Sequence, residues 1–289
     1  VLERTEKYKK SVSKTSRKEK GQFFTSKETA FFMSTMINES NKDEISILDP
    51  GAGNGILGLT VIAKLCLNLN IKSIVLSNRK SSYDIVIANP PYKKLQKSSQ
   101  EATEFAEYLY GQPNLYGLFI IKSVSLLNDN GQFVYITPRS WTSGNYFIKL
   151  REYMLSHTCI EAIHIFNNRE EAFSGEDVLQ ETMIWSGHKK SSRNWTIKFS
   201  VCENDSFVNI SDFSISSEDV IENKGMKRLF ILSNPDDISI MHEMKEKKDT
   251  FNSLGYTFKT GPVVEFRNTE LLSCEPQAGY SPLDRKSVV

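Results

Sequence analysis

Residues 84–92, DIVIANPPY, end a run of aliphatic residues on an amide, two prolines and an aromatic ring. That combination suits a planar amine. The exocyclic nitrogen of a nucleobase is a poor nucleophile because its lone pair is delocalised into the ring. Two acceptors held at fixed angles to its N–H bonds would draw it toward tetrahedral geometry and free that pair. The side-chain oxygen of Asn89 and the backbone carbonyl of Pro90 can be those acceptors, and Pro90 and Pro91 lock φ so that the carbonyl stays aimed. Tyr92 supplies a flat ring on which a base can stack, an interaction of about 1–3 kcal/mol. Taken alone, the tetrapeptide also reads as a proline loop with a packed tyrosine. Its setting, at the end of a strand that follows a glycine-rich strand end, favours the amine.

The glycine-rich strand end is LDPGAGNG, residues 48–55. Asp49 stands at the carboxyl end of a short strand, the edge at which open α/β sheets bind ligands. Pro50, Gly51, Ala52, Gly53 and Gly55 follow in a turn where the backbone bends sharply and a ligand can come close. The turn is not a GxGxxG with a redox signature, and it lacks the GK[ST] ending of a phosphate loop. A cofactor with a charged amino-acid end, an adenosine end and no phosphate suits it, which points to S-adenosyl-L-methionine; a plain tight turn is the alternative. Metal catalysis finds no support. Cys66, Cys159, Cys202 and Cys274 form no CxxC pair, and His157, His164, His188 and His242 show no ligand spacing. The cysteines read as reduced thiols of a cytoplasmic protein.

These stretches need a scaffold, and strands alternate with helices along the chain. TSKETAFFMSTMINES (25–40) predicts a helix opened by a capping box, in which Thr25 accepts from the amide of Glu28 and Glu28 reaches back. Strands are expected at ISILDP, IKSIVL, SYDIVIANPPY, GQFVYITP, IEAIHIF and DVLQETMIW, with helices at GILGLTVIAKLC, NLYGLFIIKSVSLL and NYFIKLREYMLSH. The alternation predicts an α/β fold with a doubly wound, largely parallel sheet and helices on both faces. Past Trp185 the chain becomes rich in Ser and Asn, which places a domain edge there. Residues 1–205 are expected to form the main domain, and 206–289 a linker helix and the start of a smaller module at GYTFKTGPVVEFR.

With 39% hydrophobic and 25% charged residues and a formal charge of +1, the chain is globular and has no global attraction to nucleic acid. A local basic stretch exists. Arg4, Lys7, Lys9, Lys10, Lys14, Arg17, Lys18 and Lys20 outnumber Glu3, Glu6 and Glu19, which fits either a solvated arm or phosphate contacts. No apolar run is long enough to span a bilayer, so no membrane role is expected, and no signal peptide opens the chain.

With GQFFT (21–25), DPGAGNG (49–55) and NPPY (89–92) in this order, the sequence resembles the gamma class of adenine-specific (N6) DNA methyltransferases, especially those of type II and IIG restriction-modification systems. The resemblance covers essentially the whole chain. It implies a Rossmann-like class I methyltransferase sheet, S-adenosyl-L-methionine as cofactor and double-stranded DNA as partner. A restriction subunit or fused nuclease outside these residues is a further implied partner, and the bacterial cytoplasm the implied setting. Phe23, Phe24 and Thr25 would line the methionine end of the cofactor, with the helix N-terminus after Thr25 facing its carboxylate. Asp49, Pro50, Gly51, Ala52, Gly53 and Gly55 would form the main cofactor loop. Asn89, Pro90, Pro91 and Tyr92 would hold an adenine rotated out of the duplex. Phe173 matches the family's second stacking ring, a core position being the alternative, and TGPVVEFR resembles the start of a target-recognition domain.

Two features depart from the family. Between IKSIVL and YDIVIANPPY lies just SNRKSS, where a parallel crossover needs roughly a dozen residues or more. The family also places acidic residues near the cofactor's ribose and adenine, and neither has a counterpart here. Together these predict a segment missing from the sequence after about Leu76. Two other readings stay open: an RNA or protein amine methyltransferase, since NPPY marks those as well, and a non-catalytic DNA-binding or specificity subunit with a degenerate cofactor site. Arg267 fits either a phosphate contact or an ordinary surface position.

Overall fold

The computed structural model describes residues 11–12, 21, 23–68, 82–167, 181–190, 192, 194–222, 225–249 and 251–257. Its strands are β1 (Ile47–Leu48), β2 (Tyr83–Ala88), β3 (Leu127–Pro138), β4 (Cys159–Phe166), β5 (Thr182–His188), β6 (Thr196–Cys202) and β7 (Ser211–Ser216). They form one sheet in the order β1-β2-β3-β5-β4-β6-β7. The α-helices are α1 (Lys27–Thr35), α2 (Ile56–Asn68), α3 (Gln100–Glu104), α4 (Leu115–Ser125), α5 (Ile148–His157), α6 (Ser217–Val220) and α7 (Asp236–Glu246).

The sequence of β2, YDIVIA, has no alternation because the strand is covered on both faces; all but Asp84 are buried. It lies parallel to β1, with Ile47 opposite Ile85, and the chain between them includes α2 as crossover. It is also parallel to β3, with Ala88 opposite Tyr135. Three strands therefore end at one edge, where Asp49, Asn89 and Arg139 follow β1, β2 and β3.

The sheet is mixed rather than largely parallel. β5 runs antiparallel between β3 and β4, and β7 antiparallel to β6. An antiparallel strand needs no crossover helix, and no helix-length apolar periodicity lies between Phe166 and Thr182 in the sequence. The sheet also continues past the Ser- and Asn-rich change of composition. β6 pairs with β4 in parallel, Ala162 opposite Lys198, and the compact unit that holds the sheet runs to His242. The IKSIVL strand, Phe173, TGPVVEFR with Arg267, and the basic residues of the N-terminal arm lie outside the described residues.

Two polar clusters hold opposite ends of the sheet. At the amino end of β2, the Asp84 carboxylate accepts from the Lys42 ammonium, from the Ser46 amide (2.9 Å) and hydroxyl (2.6 Å), and from Asn128 Nδ2 (2.9 Å). This ties together the segments leading into β1, β2 and β3. Near the carboxyl end of β3, the guanidinium of Arg151 is fully buried and donates to the carbonyls of Trp141 (2.7 Å), Gly144 (2.8 Å) and Met226 (2.8 and 3.0 Å). A buried cation is tolerated where hydrogen bonds replace its hydration. Arg151 thus fixes the turn that follows β3 against α5.

Candidate active site

Three stretches distant in sequence meet at the carboxyl edge. The Asn89 side chain donates from Nδ2 to the Phe23 carbonyl and to Thr25 Oγ1, both at 3.1 Å. The Tyr92 amide donates to the Gly21 carbonyl at 3.1 Å. Gly21 has φ +67°, and a Cβ there would stand 2.9–3.0 Å from the backbone of Tyr92, so only glycine lets the two backbones approach this closely. The glycine loop closes the third side. A Cβ on Gly51 would lie 3.7 Å from the Asn89 carbonyl, and one on Gly53, at φ +52°, 3.8 Å from the Phe24 ring. Gly21, Phe23, Phe24 and Thr25 are therefore laid as a strap across NPPY, with DPGAGNG against both.

The strap alters one expectation. Ser26, not Thr25, is the N-cap of α1; its hydroxyl accepts from the Thr29 amide at 3.1 Å. Either hydroxyl residue can cap, and the Thr25 hydroxyl is taken by Asn89, so the capping box of Thr25 and Glu28 does not form.

Tyr92 also stands differently from expectation. Its ring is buried against Phe23 (centroids 5.5 Å apart) and edge-on to Tyr116 (6.1 Å). The hydroxyl serves two acceptors with one hydrogen, Asn89 Oδ1 at 2.8 Å and the Ile136 carbonyl at 3.0 Å. Burial, and then the neighbouring Tyr116, hold the phenol well above its ordinary pKa, so Tyr92 is a neutral donor. The open stacking face read from the sequence is covered because the hydroxyl finds these acceptors inside. The Pro90 carbonyl accepts no hydrogen bond among the described residues.

Asp49 is the electrostatic feature of the site. Both carboxylate oxygens are buried and have no hydrogen-bond partner among the described residues. Burial pushes its pKa up to about 6; the amides of Gly58 and Gly51 oppose the shift without reaching hydrogen-bonding geometry. A lone buried carboxylate is costly unless a cation joins it. Beside it an apolar cleft of about 200 Å³ is lined by Leu48, Pro50, Phe105, Leu115, Leu118 and Phe119 among others. Phe119 Cε1 is 3.9 Å from the position a Gly51 Cβ would occupy. A carboxylate next to an apolar slot, under a glycine loop, fits a ligand that carries an ammonium and a flat ring.

Sequence reasoning missed Phe119 and Arg139. Phe119 sits inside NLYGLFIIKS, where its apolar periodicity looks like any buried helix face. Arg139 follows β3 at the same edge as Asn89; it is ion-paired with Glu181, and its amide donates to the Glu181 carbonyl at 2.8 Å. A larger cleft of about 330 Å³, among Glu152, Trp195, Glu218 and Lys227, contains none of the motif residues and offers no comparable chemistry. Among the described residues no cluster of His, Cys, Asp or Glu could hold a metal ion, and no helix is long and apolar enough to cross a membrane.

The profile of the Eco57I restriction-modification methylases matches residues 3–173, which spans all three motifs and more than half of the chain. The chain belongs to the Eco57I restriction-modification methylase family. Among curated relatives it is similar to the type II methyltransferase M.BsuBI of Bacillus subtilis, 26% identical, covering 98% of this chain and 66% of that protein. It is also similar to the type II methyltransferase M.PstI of Providencia stuartii, 29% identical over 75% of this chain and 43% of that protein. The chain thus spans less than two thirds of the length of either. The M.BsuBI alignment runs over 334 positions against 289 residues here, so that relative carries internal residues with no counterpart in this chain. The fold is shared with solved structures. The type IIG restriction endonuclease BpuSI superposes with a TM-score of 0.55 at 20% identity, over 71% of this chain and 32% of that one. A modification subunit ascribed to a type I restriction enzyme of Vibrio vulnificus gives 0.56 at 13%, over 76% and 61%. This member of the Eco57I family is therefore an α/β protein that shares the fold of these two structures.

Proposed function

We propose that this chain is the modification part of a restriction-modification system, and that it transfers a methyl group from S-adenosyl-L-methionine to the N6 amine of an adenine rotated out of double-stranded DNA. The observation that carries the reading is the pair of acceptors at the end of β2: an Asn89 oxygen whose orientation is held by the strap, and a Pro90 carbonyl that accepts no hydrogen bond among the described residues. They suit the two N–H bonds of one amine.

The residues present fit the cofactor. Asp49 would take its ammonium, the loop of Pro50, Gly51, Ala52, Gly53 and Gly55 would let its backbone approach, and the cleft of Leu48, Pro50 and Phe119 would cover its adenine. Phe23 and Phe24 would border its methionine end. When bound, it supplies a methyl group on a sulfonium, a leaving group good enough that the amine needs no strong base. Asn89 and Pro90 then orient the amine and localise its lone pair, which is positioning rather than acid–base catalysis. Tyr92 leaves its buried position to stack on the base, and Phe173 supplies the second ring. Arg139, at the same edge, is placed to exchange Glu181 for a phosphate. A restriction subunit or nuclease belongs to the rest of the system; of residues 206–289, those up to His242 complete the unit that holds the sheet, and the target-recognition part is assigned to the residues after it.

The test is methyl transfer to duplex DNA, RNA and protein assayed side by side with titration of S-adenosyl-L-methionine. Transfer to DNA with micromolar cofactor binding supports the reading. Transfer to RNA or protein alone overturns its substrate, and absence of cofactor binding overturns its chemistry.

A further inference from the structure

Thr25 is implied by the family resemblance to face the cofactor, yet its hydroxyl is spent elsewhere. Asn89 has two N–H bonds on Nδ2, and both are used inside the strap, on the Phe23 carbonyl and on Thr25 Oγ1. A backbone carbonyl can only accept, so the group facing Phe23 must be the amide nitrogen; the flipped amide would bring two oxygens together. The remaining terminal atom, Oδ1, is then directed toward Tyr92 and the site. Thr25 is buried and makes no other side-chain hydrogen bond among the described residues, while Ser26 does the helix capping beside it. The hydroxyl that could have capped α1 is thereby reserved for the amide.

We propose that Thr25 is a positioning residue for methyl transfer: it holds the Asn89 amide in the one orientation that presents Oδ1 to the target amine. This rests on the methyltransferase reading above. The strap makes the device two-point. The Phe23 carbonyl sets which end of the amide is nitrogen, and Thr25 stops rotation about the Cβ–Cγ bond by engaging the second hydrogen. Without Thr25 one N–H is left unpaired in a partly buried site and the amide rocks, so the acceptor spends less time on the amine. The alternative role, a direct cofactor contact, would act on cofactor affinity instead.

Three proteins separate these roles: the wild-type chain, Thr25→Val, which keeps the shape and removes the acceptor, and Thr25→Ser, which restores it. The first readout is the single-turnover methyl-transfer rate at saturating DNA and cofactor, with the cofactor Kd measured separately. Thr25→Val is expected to slow transfer about 10- to 100-fold while Kd stays within about twofold, and Thr25→Ser to return to within about threefold of wild type. A Kd weakened about tenfold with an unchanged saturated rate would assign Thr25 to the cofactor and overturn the proposal. The second readout does not need transfer. In 15N spectra the side-chain NH2 of Asn89 should exchange with solvent at least about tenfold faster in Thr25→Val than in wild type and Thr25→Ser. Equal exchange in all three overturns the proposal even if the wild-type chain methylates nothing, a result that would by itself speak against the function and not against the hydrogen bond.

Discussion

The Tyr92 hydroxyl donates to Asn89 Oδ1 at 2.8 Å, so the acceptor proposed for a substrate amine is occupied by the hydroxyl of the ring proposed to stack on its base. The two groups of the NPPY tetrapeptide satisfy each other in the free protein, and an incoming base competes with that contact. Tyr92→Phe keeps the ring and removes the donor. It should lower stability by about 1 kcal/mol in urea denaturation, and leave methyl transfer within about threefold of wild type. Tyr92→Ala removes the stacking surface and should slow transfer about 10- to 100-fold. A Tyr92→Phe protein as slow as Tyr92→Ala would mean that the hydroxyl, not the ring, is what the reaction uses.

Asp49 should act with opposite signs on stability and on cofactor binding. Its folded pKa, about 6, lies above the ordinary value of 3.8, so its favourable contribution to folding is complete below about pH 3.8 and is lost as pH rises through 6. Asp49→Asn should therefore stabilise the cofactor-free protein at pH 8, by up to about 3 kcal/mol, and give no such gain at pH 4. The same substitution removes the partner for an ammonium and should weaken S-adenosyl-L-methionine binding at least about tenfold. Wild-type affinity should rise with pH between about 5 and 7 as the carboxylate ionises, and that of the Asp49→Asn variant should not. Thermal melts and calorimetry at the two pH values check both signs.

Gly21 tests the strap. Alanine there must hold φ +67° with its Cβ 2.9–3.0 Å from the Tyr92 backbone. Gly21→Ala should cost about 1–3 kcal/mol in urea denaturation and slow methyl transfer, because the Gly21–Tyr92 bond and the Asn89 bonds belong to one segment. A fully stable, fully active variant would show that the strap does not hold the site.

Asp84 provides the control at the other end of β2. Burial acts to raise its pKa, but the Lys42 ammonium, the Ser46 hydroxyl and amide and the Asn128 amide outweigh it and hold the carboxyl well below the usual range. A depressed folded pKa gives stability that is present above the unfolded value, near 3.8, and is lost as pH falls below it. Asp84→Ala should cost about 1–3 kcal/mol at pH 7 and less as pH falls below about 4, with the saturated transfer rate unchanged. A selective loss of rate would show coupling along β2 that the geometry does not contain.

The places of the motifs at strand ends were more legible than the architecture that holds them. NPPY and DPGAGNG could be placed at strand ends because proline, glycine and a preceding aliphatic run punctuate a chain strongly. That they meet GQFFT at one edge follows from the parallel register of β1, β2 and β3, which no local pattern encodes. Ser26 and Thr25 are equivalent as caps by composition; the long-range bond to Asn89 decides between them. The burial of Tyr92 was hidden for the same reason, since its acceptor Ile136 lies 44 residues away. β6 and β7 escaped because the surrounding Ser and Asn suggested a boundary, although β6 alternates cleanly, with Lys198 and Ser200 between the buried Ile197, Phe199 and Val201. The β3–β5 antiparallel pairing is likewise a tertiary choice that alternation of strands and helices cannot distinguish from a parallel one.

The most direct measurement is nucleoside mass spectrometry of duplex DNA incubated with S-adenosyl-L-methionine bearing a deuterated methyl group, using the wild-type chain and Asn89→Ala. The expected result is deuterated N6-methyladenine with wild type and none with Asn89→Ala at saturating cofactor, the fold and cofactor affinity of the variant being measured alongside. Label on cytosine, or N6-methyladenine formed equally by Asn89→Ala, would contradict the role given to the acceptor pair at the end of β2.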